Sequence, residues 1–187
     1  MKKNSLFVPV RFYQIKATLR GIRPPIWRRF LVPADFTLEK THRVLQTVMG
    51  WENCHLYEFR IGRETFGPSD DGFGENKKSD KKVTIGEALK EGERFVYTYD
   101  FGDSWEHELV FEKLVQPEEG KLYPVCVDGS RACPPEDCGS IPGYEMILQA
   151  LRGPKTQEDR ELVQWVGRYN PEFFDLKSVN RALKRMR

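Results

Sequence analysis

Apolar residues keep two different rhythms along this chain, and the change between them separates strands from helices. Tyr13, Ile15, Ala17 and Leu19 alternate with Gln14, Lys16 and Thr18, so the first element is extended, with one face for a core and the other for solvent. Gly21 and the Pro24-Pro25 pair turn the chain, and residues 26–32 return as a second strand, making a hairpin. From Thr37 the spacing lengthens. Leu38, His42, Leu45 and Met49 lie four, three and four apart, one face of a helix that Thr37 caps and Gly50 ends. Strand alternation resumes over 55–61, with 63–66 as a pairing partner, before a Gly-, Asp-, Lys- and Ser-rich loop over 67–82. Thr84 and Glu87 have the spacing of a capping box and predict a short helix to Lys90. Residues 94–100 and 104–114 predict two further strands around the turn Phe101-Gly102-Asp103.

The last third changes character after a predicted loop over 116–139. Tyr144, Ile147, Leu148 and Leu151 form a helical stripe that Gly153-Pro154 stops. Two more helices are expected, over 156–169 and over 176–186, the second capped by Asp175. Strands first and helices afterwards indicate α+β: an antiparallel sheet of about five or six strands, one early helix and a C-terminal group of about three helices. A chain of 187 residues, 39% of them hydrophobic, buries one substantial core, so residues 1–187 are read as a single domain.

Net charge adds little until it is divided by region. The total is +2, but residues 1–43 hold ten Lys/Arg against two Asp/Glu, and the remainder holds 20 against 26. Arg20, Arg23, Arg28 and Arg29 bracket the first hairpin with Trp27 among them and Lys2, Lys3, Arg11 and Lys16 nearby. Guanidinium forks beside an aromatic ring suit phosphate and base contacts, which makes nucleic acid a candidate partner. The competing reading is a solvated face neutralised by the acidic residues downstream. No run approaches the roughly 20 apolar residues of a membrane span, and Leu6-Phe7-Val8 is cut short by Pro9 and Arg11. The expectation is a cytoplasmic protein without a membrane partner, whose four cysteines are thiols or metal ligands rather than disulfides.

Three groups could carry chemistry. His42, His55 and His107 each fall on a predicted apolar face, and their convergence beside Asp100 and Asp103 would give imidazoles and carboxylates able to bind a metal or move a proton. The alternative is three separate core histidines, each satisfied by a hydrogen bond. Cys126, Cys133 and Cys138 have C-x6-C-x4-C spacing in a loop and are candidate zinc ligands, with Cys54 or a histidine as a fourth. The spacing is not that of a zinc ribbon, and Pro134-Pro135 restricts how such a knuckle wraps. Asp100-Phe101-Gly102 matches the kinase metal-binding tripeptide, but without a phosphate loop or catalytic loop the match is coincidental.

Five segments, in order, resemble the plasmid pRiA4b ORF-3-like family. These are Pro25-Ile26-Trp27-Arg28-Arg29, the helix end at Met49-Gly50-Trp51, His55-Leu56, the stretch from Tyr99 to His107, and Ala132-Cys133-Pro134-Pro135-Glu136-Asp137-Cys138-Gly139. The likeness spans about residues 11–185, including Asn170-Pro171-Glu172 and Phe174-Asp175-Leu176. One departure is Tyr57, where many relatives are expected to carry a second histidine. The resemblance implies one α+β domain linked to plasmids or mobile elements and supplies no catalytic residue. Two functions follow from the residues themselves: a binding domain that takes nucleic acid on its basic hairpin, or a metal-dependent hydrolase or nuclease built from Asp100, Asp103, His107, His55 and His42.

Overall fold

A computed structural model of the chain describes residues 11–68 and 77–186. Lys2, Lys3, the Leu6-Phe7-Val8 run and part of the expected 67–82 loop fall outside that range. Chain order is β1 (Phe12–Leu19), β2 (Trp27–Pro33), α1 (Leu38–Met49), β3 (Tyr57–Ile61), β4 (Glu64–Gly67), β5 (Lys78–Ser79), α2 (Ile85–Ala88), β6 (Arg94–Tyr99), β7 (Trp105–Val115), β8 (Val125–Ser130), α3 (Ser140–Leu151), α4 (Gln157–Val166) and α5 (Leu176–Leu183). The strands form one sheet in the order β5-β4-β3-β6-β7-β1-β2-β8, antiparallel except between β4 and β5.

The α+β class holds, but the described residues form a sheet of eight strands rather than five or six. Both additions lie in segments expected to be loops. β5 is two residues long, too short for any alternation. β8 reads Val-Cys-Val-Asp-Gly-Ser, whose second half is turn-forming, yet it pairs with β2 from Val125 to Ser130 with one irregularity at Val127. Gly129 is required there for packing: a Cβ would meet Phe174 Cε1 at 2.6 Å and Arg28 Cδ at 2.9 Å. The early helix is joined by the short α2, with both halves of the capping box formed by Thr84 and Glu87.

One sheet face buries Tyr13, Ile15, Ala17 and Leu19 of β1, Phe59 of β3, Tyr97 of β6 and Leu109 of β7 together with Leu38, Val44, Leu45 and Val48 of α1. Thr37 caps α1 by accepting from Lys40 N at 3.2 Å. The last turn of α1 has no basic residue of its own. Arg28, only 1% exposed, reaches across from β2 to supply the charge. Its Nε donates to Val48 O at 2.7 Å, one of the free carbonyls at the helix end, and Nη1 donates to Trp27 O and Ser130 O. Its guanidinium also lies 3.9 Å from the Phe174 ring centroid. Asn180 of α5 occupies the outer edge of the sheet, donating to Cys126 O and accepting from Cys126 N, both at 2.8 Å.

The opposite face carries the charge division read from the sequence. Arg29 makes a two-pronged pair with Glu112 at 2.7 and 2.9 Å, Arg20 pairs with Glu106 at 3.0 Å, and Arg94 pairs with Glu108 at 2.6 Å. Trp27 lies beneath Lys16 and Arg29, whose charges are 4.9 and 5.2 Å from its ring centroid. Two cations of the first hairpin, Arg20 and Arg29, are thus matched by carboxylates of β7. Arg29 holds the Glu112 carboxyl below its ordinary pKa.

Candidate metal centre

Three segments meet at one end of the sheet: residues 53–55 before β3, 100–104 between β6 and β7, and 131–140, the loop after β8 together with the first residue of α3. All six non-glycine residues with left-handed backbone among those described lie in these segments: Asn53, Asp100, Ser104, Arg131, Asp137 and Ser140. Such strain persists only where surrounding contacts fix it, and it collects at functional sites. Here the contacts are specific. Asp100 Oδ1 accepts from Gly102 N at 2.9 Å and Asp103 N at 3.3 Å, closing the β6–β7 turn. Asp103 clamps the third loop, its Oδ2 accepting from Gly139 N at 3.1 Å and its carbonyl from Ser140 Oγ at 2.7 Å. Trp51 Nε1 donates to Pro134 O at 3.1 Å and Tyr169 OH to Cys133 O at 2.8 Å, holding the other end. Gly143 allows α3 to press on this loop, since a Cβ would lie 1.8 Å from Cys138 O.

The loops bring together His55, Asp100, Glu136 and Asp137. His55 Nε2 is 2.9 Å from Asp137 Oδ1, 3.7 Å from Asp100 Oδ2 and 4.0 Å from Glu136 Oε2. Two donors each about 2.0–2.2 Å from one ion stand at most about 4.4 Å apart, and these separations fit that limit. His55, Asp100 and Asp137 form one set with ligand atoms mutually within 4.8 Å, and Cys54, His55 and Glu136 form a second. His55 Nε2 and Glu136 Oε2 are both buried, and neither makes a hydrogen bond; the close approach of Asp137 lacks hydrogen-bond direction. Glu136 Oε1, in contrast, is saturated by Glu52 N at 2.8 Å and Tyr99 OH at 3.1 Å. The Tyr99 hydroxyl also accepts from Cys54 N at 3.1 Å, and burial raises its pKa, so it remains a donor. One carboxylate oxygen is fixed and the other is left facing the imidazole.

The other histidines lie elsewhere. Neither His42 nor His107 belongs to any set of three ligand groups among the described residues. His42 Nδ1 accepts from Tyr97 OH at 2.8 Å, its Nε2 bonds Asn53 Oδ1, and its ring stacks 3.4 Å from that of Tyr57. Tyr57 donates to buried Asp80, so it is bound into this interior network. His107 Nδ1 bonds Tyr97 O at 3.2 Å. Burial lowers the pKa of both rings to about 4. Each then binds its proton less readily folded than unfolded, so its stabilising effect is complete above about pH 6.5 and is lost as pH falls toward 4. Thermal melts between pH 7 and 4 should show a falling midpoint that is flatter in His42→Gln; a parallel fall in both proteins contradicts the assignment.

The cysteines do not form a joint ligand set with one another among the described residues. Cys126 Sγ faces Arg29 O and Asp128 O, Cys133 lies against Arg28, and Cys138 faces Ser140 O. Burial is the chief cause pushing their thiols up, to about 11, 11 and 12. Of the hairpin residues, Arg20 and Arg29 are paired, Arg28 is buried and Trp27 is covered. Arg23 is exposed and makes no ion pair among the described residues. No helix among the described residues is long and apolar enough to cross a membrane. Glu136, Asp137 and Tyr99 are the site members that the sequence reading did not select.

The fold and site define an α+β protein with one eight-stranded sheet and a histidine-carboxylate cluster at its end. The chain belongs to the plasmid pRiA4b ORF-3-like protein family, whose model matches residues 11–178. It is 34% identical over 174 residues to "Uncharacterized protein y4hQ" of Sinorhizobium fredii (strain NBRC 101917 / NGR234), covering 91% of this chain and 89% of that one. The crystal structure of "Protein of Unknown Function MM3350" from Methanosarcina mazei Go1 is similar at a TM-score of 0.83 and 36% identity, over 90% of this chain and 97% of that one.

Proposed function

We propose that the protein binds one divalent first-row metal ion, zinc foremost, through His55, Asp100 and Asp137, and hydrolyses a small substrate with Glu136 as general base. The observation that carries this reading is the pair of buried atoms that make no hydrogen bond, His55 Nε2 and Glu136 Oε2, 4.0 Å apart. Buried polar atoms without partners are rare because each costs about 1–3 kcal/mol, and a bound ion with its water would satisfy both. Three protein ligands leave a coordination position open, as in catalytic rather than structural zinc sites. Imidazole and the nearby Cys54 thiol favour zinc over magnesium.

When bound, the ion lowers the pKa of a coordinated water toward neutrality. Glu136 would take a proton from the attacking water as the water oxygen bonds to the electrophilic carbon. It then returns the proton to the leaving group, which departs with the electrons of the broken bond. The nucleic-acid reading has less support, since of Arg20, Arg23, Arg28 and Arg29 only Arg23 is left exposed and without an ion pair among the described residues. Calorimetric titration of zinc into metal-free protein is expected to show one ion per chain, weakened in Asp100→Asn. Asparagine keeps the turn-forming Oδ1 and tolerates the left-handed backbone but loses the anionic ligand. Absence of saturable binding, or equal affinity in the variant, rejects the site.

A further inference from the structure

A cavity of about 550 Å³ lies between the end of α1, the 132–136 loop and helices α4 and α5. Glu136 lines it as well as belonging to the ligand cluster, so the cavity adjoins the proposed reaction site. Its volume is in the range of small-molecule pockets, whose walls are mainly apolar and aromatic. Trp51, Trp165, Phe173 and Phe174 furnish such walls. Trp165 and Phe173 are 53% and 59% exposed, and α4 buries none of its residues. Large aromatic side chains left open at the rim of a cavity are surface that a bound molecule can cover.

Charge narrows the occupant. The lining includes the carboxylates of Glu52, Glu136 and Asp175, and among the described residues Arg28 is its one Lys or Arg. Arg28 is only 1% exposed, donates to Val48, Trp27 and Ser130 carbonyls, and is covered by Phe174. It is committed to the end of α1 and offers no fork to an incoming anion. A negatively charged ligand would therefore meet carboxylates without a free guanidinium to balance them. We infer that this cavity takes a small, flat, apolar organic molecule carrying no anionic group, with its hydrolysable bond directed at Glu136. The location of that bond rests on the hydrolytic reading above; the class of molecule rests on the cavity itself.

The test uses two fluorescent probes of similar shape on the full chain, with and without zinc. Neutral N-phenyl-1-naphthylamine is expected to bind at one site with energy transfer from tryptophan. Its affinity should fall about tenfold in Trp165→Ala and in Phe173→Ala, each substitution removing one aromatic wall. Both side chains are mostly exposed, so the variants should retain the fold, and unchanged circular dichroism checks this. The anionic 1-anilinonaphthalene-8-sulfonate should bind at least about tenfold more weakly than the neutral probe. No saturable binding, affinity unaffected by both substitutions, or equal affinity for the sulfonate overturns the inference. Zinc titration of the same proteins keeps the two proposals distinct. Zinc binding without the neutral probe refutes this cavity assignment alone, whereas the expected probe behaviour without zinc binding supports the cavity and refutes the metal site.

Discussion

Glu136→Gln is expected to slow hydrolysis of p-nitrophenyl acetate by the zinc-loaded protein about 10²- to 10⁴-fold, the usual contribution of a positioned general base. Glutamine keeps the size of the side chain and an oxygen for Glu52 N and Tyr99 OH, but loses the carboxylate needed to accept a proton. Zinc affinity should change little, because the assigned ligands are His55, Asp100 and Asp137. His55→Ala should instead weaken zinc binding more than about 100-fold, beyond the loss typical of a group one step removed from a metal. Activity lost together with zinc in both variants would make Glu136 a ligand rather than the base. Wild-type turnover in Glu136→Gln, or no zinc-dependent turnover in the parent protein, would remove the hydrolytic reading.

The second large effect falls on stability. Arg28→Ala is expected to lower the free energy of unfolding by about 4 kcal/mol, from lost hydrogen bonds to buried carbonyls and a cavity beside Phe174. In a chain of this size that corresponds to a melting temperature lower by roughly 10 °C. Arg28→Lys should recover only part of the loss, since one ammonium cannot reproduce the directions in which Nε and Nη1 donate. Denaturant titration tests this; a change below about 1 kcal/mol in Arg28→Ala would mean that α1 ends equally well without it.

Alternation along β1 and the helical stripe of α1 were legible because each local period coincides with a buried face. The same logic found the turn around Asp100, whose Asp and Gly content reflects its backbone. It located His42 and His107 in the interior but could not distinguish a satisfied core imidazole from a ligand. That distinction depends on Tyr97, 55 residues from His42 and across the β6–β7 hairpin from His107. His55 was grouped with the β3 alternation, yet the strand begins at Tyr57, and the preceding loop sets its direction. Glu136 and Asp137 lay inside a segment read for its cysteines. No periodicity connects residue 136 with residue 55; their meeting depends on how β8 joins the sheet edge and how Asp103 holds the following loop. Near-neutral total charge likewise concealed an arrangement that became visible only when β7 was placed beside β1.

Asn180 has a consequence for self-association. An outermost strand is a template onto which another chain can add, and β8 contains the Val-Cys-Val run that would favour such growth. By occupying both the amide and the carbonyl of Cys126, the Asn180 carboxamide imitates a neighbouring strand for one residue. Helix α5 thereby takes from Cys126 the two backbone groups that a further strand would need at this point of the β8 edge.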